Sequence, residues 1–334
     1  MTDYRVGIVG ATGAVGQEIL AVLNTRNFPI RDLRLFASER SAGQQVLTPF
    51  GSKTVELFSV AAAQEMDFVL LAVSGDFAQK FAPALAEKTV VIDNSSAFRY
   101  MQDVPLVVPE VNAKALGASN LLANPNCTTA ILAVALYPLY QKFGLKKVIV
   151  STYQAVSGAG AGGIAELTAA TRAHLAQAEV PAEVFPYPIA FNLIPQIDTF
   201  QENGYTREEL KVTWETRKIF GVPDLAISCT AVRVPTFRAH AEAVTIETEK
   251  PIESKQAREV LAQAPGVEVV DEPAKLQYPQ PRTATKKFAV EVGRLRQSLV
   301  FGECGLDFFI CGDQLLKGAA LNAVQIAEEV LQRR

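Results

Sequence analysis

Residues Val6–Leu20 read "VGIVGATGAVGQEIL". A β-branched run (Val6, Ile8, Val9) stops at Gly10, and Gly13 and Gly16 follow at three-residue steps. Apolar residues then recur at helical spacing. A glycine turn directly after a strand and at the opening of a helix is the context of a dinucleotide-binding loop. The glycines permit the tight turn, and free N–H groups around Thr12, Gly13, Ala14 and Val15 face a pyrophosphate at the positive end of the helix. A plain turn between two elements would also use glycine; the strand before it and the helix after it favour the nucleotide reading.

Outward from this loop, strand-like and helix-like stretches alternate. "AVGQEILAVLNTRNF" has helical spacing, and "LRLFAS", "DFVLLAVS" and "TVVIDNS" read as short buried strands. Such alternation predicts a parallel sheet covered on both faces. From about Lys146 the pattern changes. Long strands ("KKVIVSTYQAV", "AISCTAVRV", "HAEAVTIETE") now predominate, interrupted by helical stretches such as "TREELKVTWETRKIF". The fold expected is therefore α/β: an N-terminal Rossmann-type dinucleotide-binding domain followed by an α+β domain with a mixed sheet and helices on one face. The closing "DQLLKGAALNAVQIAEEVLQRR" reads as one amphipathic helix with basic residues at its C-terminal end.

Bulk properties narrow the function. The chain has 334 residues, 32 Lys and Arg against 35 Asp and Glu, and a net charge of −3, so nucleic acid and anionic membrane are not the expected partners. No apolar run is long enough to cross a bilayer, and the start does not read as a signal peptide. Four scattered cysteines and only two histidines argue against a metal site or a disulfide framework. A reducing cytoplasm is the expected location.

The end of the second strand selects the nicotinamide cofactor. NAD sites usually carry an acidic residue there, whereas "FASERSAG" places Ser38, Arg40 and Ser41 at or beyond the tip. Hydroxyls and an arginine suit a 2′-phosphate, which favours NADP. Glu39, in the same loop, would also be compatible with NAD.

A second stretch carries the chemistry. In "LLANPNCTTAILAVAL" (Leu121–Leu136), Cys127 stands between an Asn-Pro-Asn turn and an apolar helix. A cysteine is most often a small buried hydrophobe. At a helix N-terminus, however, its thiolate is stabilised, and the unsatisfied N–H groups there can hold an oxyanion. Of the two histidines, His174 sits in an exposed-looking helical segment and His240 on a strand near Arg233 and Arg238. By elimination His240 is the better partner for a nucleophilic Cys127. A thiol nucleophile beside a nicotinamide cofactor points to aldehyde oxidation through a thioester, or the reverse reduction of an acyl phosphate.

The motifs "GATGAVG", "SERSAG", "VVIDNSSAFR", "DVPLVVPEVN", "NPNCTTA", "STYQAVSGAG", "YPIAFNLIPQID", "EELKVTWETRKI", "VRVPTFRAHAEA" and "DQLLKGAALNAVQIAE" follow one another from the glycine loop to the last helix. In this the chain resembles the aspartate-β-semialdehyde dehydrogenase family. The resemblance implies NADPH-dependent reduction of aspartyl phosphate to aspartate semialdehyde, with release of phosphate, on the route to lysine, threonine and methionine. It also implies a homodimer or tetramer, an NADP-binding domain over residues 1–126 joined by 314–334, and a catalytic and dimerisation domain over 127–313. By the same resemblance Cys127 is the nucleophile and His240 the acid–base residue, while Gln154 orients the substrate. Arg233 binds the substrate carboxylate as a fork and Glu208 meets its ammonium. Arg99 and Lys211 hold the phosphate, Ser157 and Gly158 lie by the nicotinamide, and Gln314 lies near the cofactor amide, at a position where many relatives carry Asn.

Read without the family, several of these residues are ordinary. Glu208 and Lys211, three apart on a helix, would be a solvated ion pair, and Arg99 and Arg233 would be salt-bridged surface residues. Thr206 and Glu209 read as a capping box, and Asp93 and Glu110 as structural. Three alternatives compete for the function. N-acetylglutamyl-phosphate reductase shares the Cys-His pair but has no need of Glu208. A glyceraldehyde-type phosphorylating dehydrogenase lacks these motifs. A catalytically silent paralogue acting as a binding protein would be expected to have lost Cys127.

Overall fold

The apolar runs form two separate sheets. A computed structural model describes residues 3–333. The chain divides into two units, one built from the residues up to Asn126 and those from Ala319 onward, the other from Cys127–Gly318.

The first unit holds β1 (Tyr4–Val9), β2 (Ile30–Ala37), β3 (Gln45–Thr48), β4 (Gly51–Leu57), β5 (Phe68–Leu71), β6 (Val90–Asp93) and β7 (Leu121–Ala123). Their order is β3-β4-β2-β1-β5-β6-β7, and every neighbouring pair is parallel except the β3–β4 hairpin. All residues of β5 and β6 are buried, as a sheet covered on both faces requires. The chain leaves β1 for β2 on one side and later returns to β5 on the other. The glycine loop after β1 therefore lies at the switch point of the sheet, where such folds bind ligands.

The second unit holds β8 (Lys147–Gln154), β9 (Ala226–Arg233), β10 (His240–Glu247), β11 (Val267–Val269), β12 (Val290–Gln297) and β13 (Gly305–Gly312), ordered β11-β12-β13-β10-β8-β9. The central pairs are antiparallel and the two marginal pairs parallel, so the sheet is mixed. Its faces differ. Val148, Val150, Thr152 and Gln154 are buried on one side, whereas Ile149 on the other is 45% exposed. The helix Cys127–Phe143 covers the buried face; a Cβ added to Gly312 on that face would lie 2.8 Å from Ile131 of this helix.

One sequence expectation needs correction. The terminal segment is not one helix from Gln314. Residues 316–320 form a π turn and the α-helix runs over Leu321–Arg333. Residues 314–318 stay with the second unit because Gln314 is hydrogen-bonded there, accepting from the Ala239 N–H at 2.8 Å and donating to Ser157 Oγ. The β3–β4 hairpin and strands β11–β13 were also not read from the sequence.

Candidate active site

Each glycine of the first loop has its own reason. Gly10 has φ +86°, and a Cβ there would lie 2.2 Å from the Ala72 carbonyl oxygen. One on Gly16 would lie 2.4 Å from the Gly10 oxygen. The loop is thus pulled against β5's end and against its own helix, Ala14–Thr25. Gly13 caps that helix without a side chain, so the N–H groups at its start are left to a ligand. Ser38, Glu39 and Arg40 are exposed beyond β2. Ser41 closes a turn onto the Ser38 carbonyl at 3.0 Å.

Cys127 is the first residue of its helix, as expected. The Asn-Pro-Asn turn before it is held by buried amides. Asn124 donates to Asn94 Oδ1 at 2.8 Å and to the Ala319 carbonyl at 3.1 Å, and accepts from Asn322 at 2.6 Å. Arg99, buried in the same unit, donates to the carbonyls of Asn124 (2.8 Å) and Asn94 (2.9 Å), so it is no surface residue.

The Cys127 sulfur lies 3.4 Å from His240 Nε2. On the other side of the ring, the Ala155 N–H donates to Nδ1 at 3.0 Å. That bond assigns the proton of the neutral imidazole to Nε2, facing the sulfur. Burial, and secondarily the charge of Arg233, hold the His240 pKa well below its ordinary value of 6.5. An imidazolium would also have to turn an Nδ1–H against the Ala155 N–H. The ring is therefore a neutral N–H donor, and the buried thiols of Cys229 and Cys311 are no rivals. Burial pushes both well up.

The remaining candidates of the second unit converge here. Arg233, at the end of β9, donates through Nη1 to the Ala155 carbonyl at 2.7 Å, so one residue's amide and carbonyl orient both His240 and Arg233. Gly158 lies under both; a Cβ there would be 2.9 Å from Arg233 Nη1 and 3.4 Å from His240 Cε1. Gln154 donates to Glu208 at 3.1 Å, and Glu208 accepts from Lys211 at 3.1 Å. The reading of Glu208 and Lys211 as a solvated pair fails, since Glu208 is 5% exposed and Lys211 is shared with Asp198 at 2.7 Å. Their helix, Arg207–Phe220, opens with the expected Thr206–Glu209 capping box. Asp93 accepts from Ser95, and Glu110 from Gln325, as structural residues do. His174 is exposed in the last turn of the helix Gly160–Leu175, its ring 4.7 Å from that of Phe191.

Sequence reasoning missed Ala155, Asp198 and Gly318. Ala155 acts through its backbone, which no side-chain signal reports. A Cβ on Gly318 would lie 2.6 Å from Cys127 Cβ, a proximity across 191 positions that only the π turn creates. Among the described residues no group of His, Cys, Asp and Glu could hold a metal ion, and no helix is long and apolar enough to cross a membrane.

A nucleotide-binding sheet and a thiol–imidazole pair in a mixed-sheet unit define a dehydrogenase of the semialdehyde class. Accordingly, residues 5–119 match the family model for the semialdehyde dehydrogenase NAD binding domain, and residues 136–317 match that for the dimerisation domain. Aspartate-semialdehyde dehydrogenase of Aquifex aeolicus is 50% identical over 97% of each chain, and that of Synechocystis is 45% identical over 99% of this chain and 98% of its own. The crystal structure of Vibrio cholerae aspartate semialdehyde dehydrogenase II complexed with ASA superposes with a TM-score of 0.95, at 43% identity and 99% coverage of both chains. The chain belongs to the aspartate-semialdehyde dehydrogenase family.

Proposed function

We propose that the protein reduces L-4-aspartyl phosphate to L-aspartate 4-semialdehyde with NADPH, through a thioester on Cys127, in the biosynthesis of lysine, threonine and methionine. The observation that carries this reading is the 3.4 Å approach of Cys127 Sγ to the N–H side of His240 at a helix N-terminus. The helix dipole, the Nε2–H and the charge of Arg233 all favour the thiolate. The thiolate attacks the acyl carbon and the C–O bond to phosphate breaks, leaving the thioester and free phosphate. The nicotinamide cofactor, when bound, would supply the hydride that reduces the thioester carbon. When the resulting oxyanion collapses, the C–S bond breaks and the aldehyde leaves with the thiolate restored. His240 donates its Nε2 hydrogen bond first to sulfur and then to the oxyanion.

Gln154 orients the acyl group, Arg233 takes the α-carboxylate and Glu208 the ammonium, with Arg99 and Lys211 as phosphate ligands. Substrate phosphate would draw Lys211 off Asp198 and Glu208. The glycine cradle of Gly10, Thr12, Gly13, Ala14 and Val15 suits a pyrophosphate, because Gly13 caps the following helix with no side-chain acceptor for the N–H groups at its start. Exposed Ser38 and Arg40, with Ser41, suit a 2′-phosphate, and Arg40 makes no ion pair among the described residues that would have to be broken. Ser157, Gly158 and Gln314 serve the nicotinamide end; both polar atoms of the Gln314 amide are already engaged, so its contribution is to hold Ser157.

The protein is further proposed to be a homodimer through the open sheet face, where a cavity of about 670 Å³ is lined by Ile149, Ala243, Phe309 and Tyr278.

The test is to mix the protein with aspartate semialdehyde, phosphate and NADP and to follow absorbance of the reduced cofactor. A phosphate-dependent rise is expected, abolished in Cys127→Ala while NADP binding persists. Activity only with N-acetylglutamate semialdehyde would move the protein to the sister enzyme, and substantial turnover by Cys127→Ala would refute the thioester.

A further inference from the structure

The segment around residues 183–185 belongs to no helix or strand, and within it only Phe185 is buried. Its backbone is nevertheless held. Glu166, buried on the helix Gly160–Leu175, accepts the N–H of Glu183 at 2.9 Å, that of Val184, and that of Phe185 at 3.3 Å. Three consecutive amides that have no sheet or helix partner thus end on one carboxylate. One turn earlier on the same helix face, Gly163 makes room for the ring; a Cβ there would lie 3.1 Å from Phe185 Cζ and 2.3 Å from the Val156 carbonyl oxygen. Gly163 and Glu166 together fix both the backbone and the ring of Phe185.

The ring has one polar neighbour of consequence. The Arg233 guanidinium carbon lies 5.7 Å from its centroid, within the range of a cation–π contact. Phe185, Asp198 and Arg233 also line one cavity of about 460 Å³. Arg233 is therefore set from two sides, by the Ala155 carbonyl through Nη1 and by the Phe185 ring. A forked guanidinium binds a carboxylate in two parallel hydrogen bonds only if its plane is held.

We propose that Glu166 is a positioning residue for substrate recognition: by clamping the amides of residues 183–185 it holds the Phe185 ring that orients Arg233 toward the substrate α-carboxylate. This rests on the assignment of Arg233 to that carboxylate. Glu166 itself touches neither substrate nor sulfur.

The experiment is steady-state kinetics with aspartate semialdehyde on Glu166→Ala, Glu166→Gln and Phe185→Leu, with Arg233→Lys as the reference. The clamp predicts a KM for the semialdehyde raised about tenfold in Glu166→Ala and Phe185→Leu, the scale of one lost cation–π contact. It predicts a smaller rise in Glu166→Gln, which keeps one acceptor oxygen. The KM values for NADP and phosphate should stay within about twofold, whereas general loosening of the fold would move all three together. If Arg233→Lys raises the semialdehyde KM and neither Phe185→Leu nor Glu166→Gln does, the clamp is refuted and the role of Arg233 stands. If Arg233→Lys leaves that KM unchanged, both fall. Should Glu166→Ala not fold, the other two variants decide the matter.

Discussion

At the scale of single residues, two buried groups on one strand titrate in opposite senses. His240 and Glu242 are both fully buried on β10, two positions apart on the same face. Burial holds His240 below its ordinary 6.5 and Glu242 well above its ordinary 4.5, and neither oxygen of Glu242 has a hydrogen-bond partner among the described residues. Below pH 6.5 the unfolded chain takes up a proton that folded His240 refuses, so stability falls as the pH drops through that range. Above pH 4.5 the unfolded chain releases a proton that folded Glu242 retains, so stability falls as the pH rises, by about 1.4 kcal/mol per pH unit within the window. Glu242→Gln removes only the second effect. Its urea midpoints measured from pH 5 to 8 should fall less steeply than those of the parent protein, and parallel curves would mean that Glu242 is ionised in the fold.

At the scale of elements, the π turn at residues 316–320 decides where Cys127 sits. Widened helical turns of this kind are frequent at functional sites. Here the turn brings Gly318 against Cys127 so closely that no side chain fits. Gly318→Ala would displace the cysteine's backbone, because the contact is with Cα and Cβ rather than with a flexible side-chain end. A shift of a few tenths of an ångström at the attacking atom is expected to lower kcat at least about tenfold while the protein stays folded and binds NADP. Unchanged kcat would show that the Cys127 helix can retreat freely. The capping box on the Glu208 helix is the contrasting case: Thr206 and Glu209 are adjacent enough in sequence to be read directly, and the structure has both bonds.

At the scale of the whole molecule, the open face of the second sheet is where association is expected. Ile149 projects from it beside an apolar cavity, and a patch of this kind marks an interaction surface. Ile149→Arg should halve the mass measured by light scattering, since an unpaired charge buried in the interface costs several kcal/mol; an undiminished mass would place the interface elsewhere. Much of this architecture was legible from local pattern. The GxxGxxG turn, the alternation of strands and helices, the long strands after Lys146, and Cys127 at a helix start all depend on residues within one or two turns of each other, where periodicity and glycine geometry act. What the sequence left open depends on distance. Glu208 and Lys211 have the spacing of a surface pair, and only packing of their helix on β9 buries Glu208 beside Gln154 and half-buries Lys211. Ala155 carries no side-chain signal, yet its N–H and carbonyl orient His240 and Arg233, residues far along the chain. By itself, then, the sequence determined the alternating first unit, the long strands of the second, the glycine turn after β1 and the place of Cys127 at a helix start, because local sterics and periodicity specify them. Only the tertiary structure decided which imidazole nitrogen faces the sulfur, what holds Arg233, and where the last helix begins, because each depends on backbone groups brought together by folding.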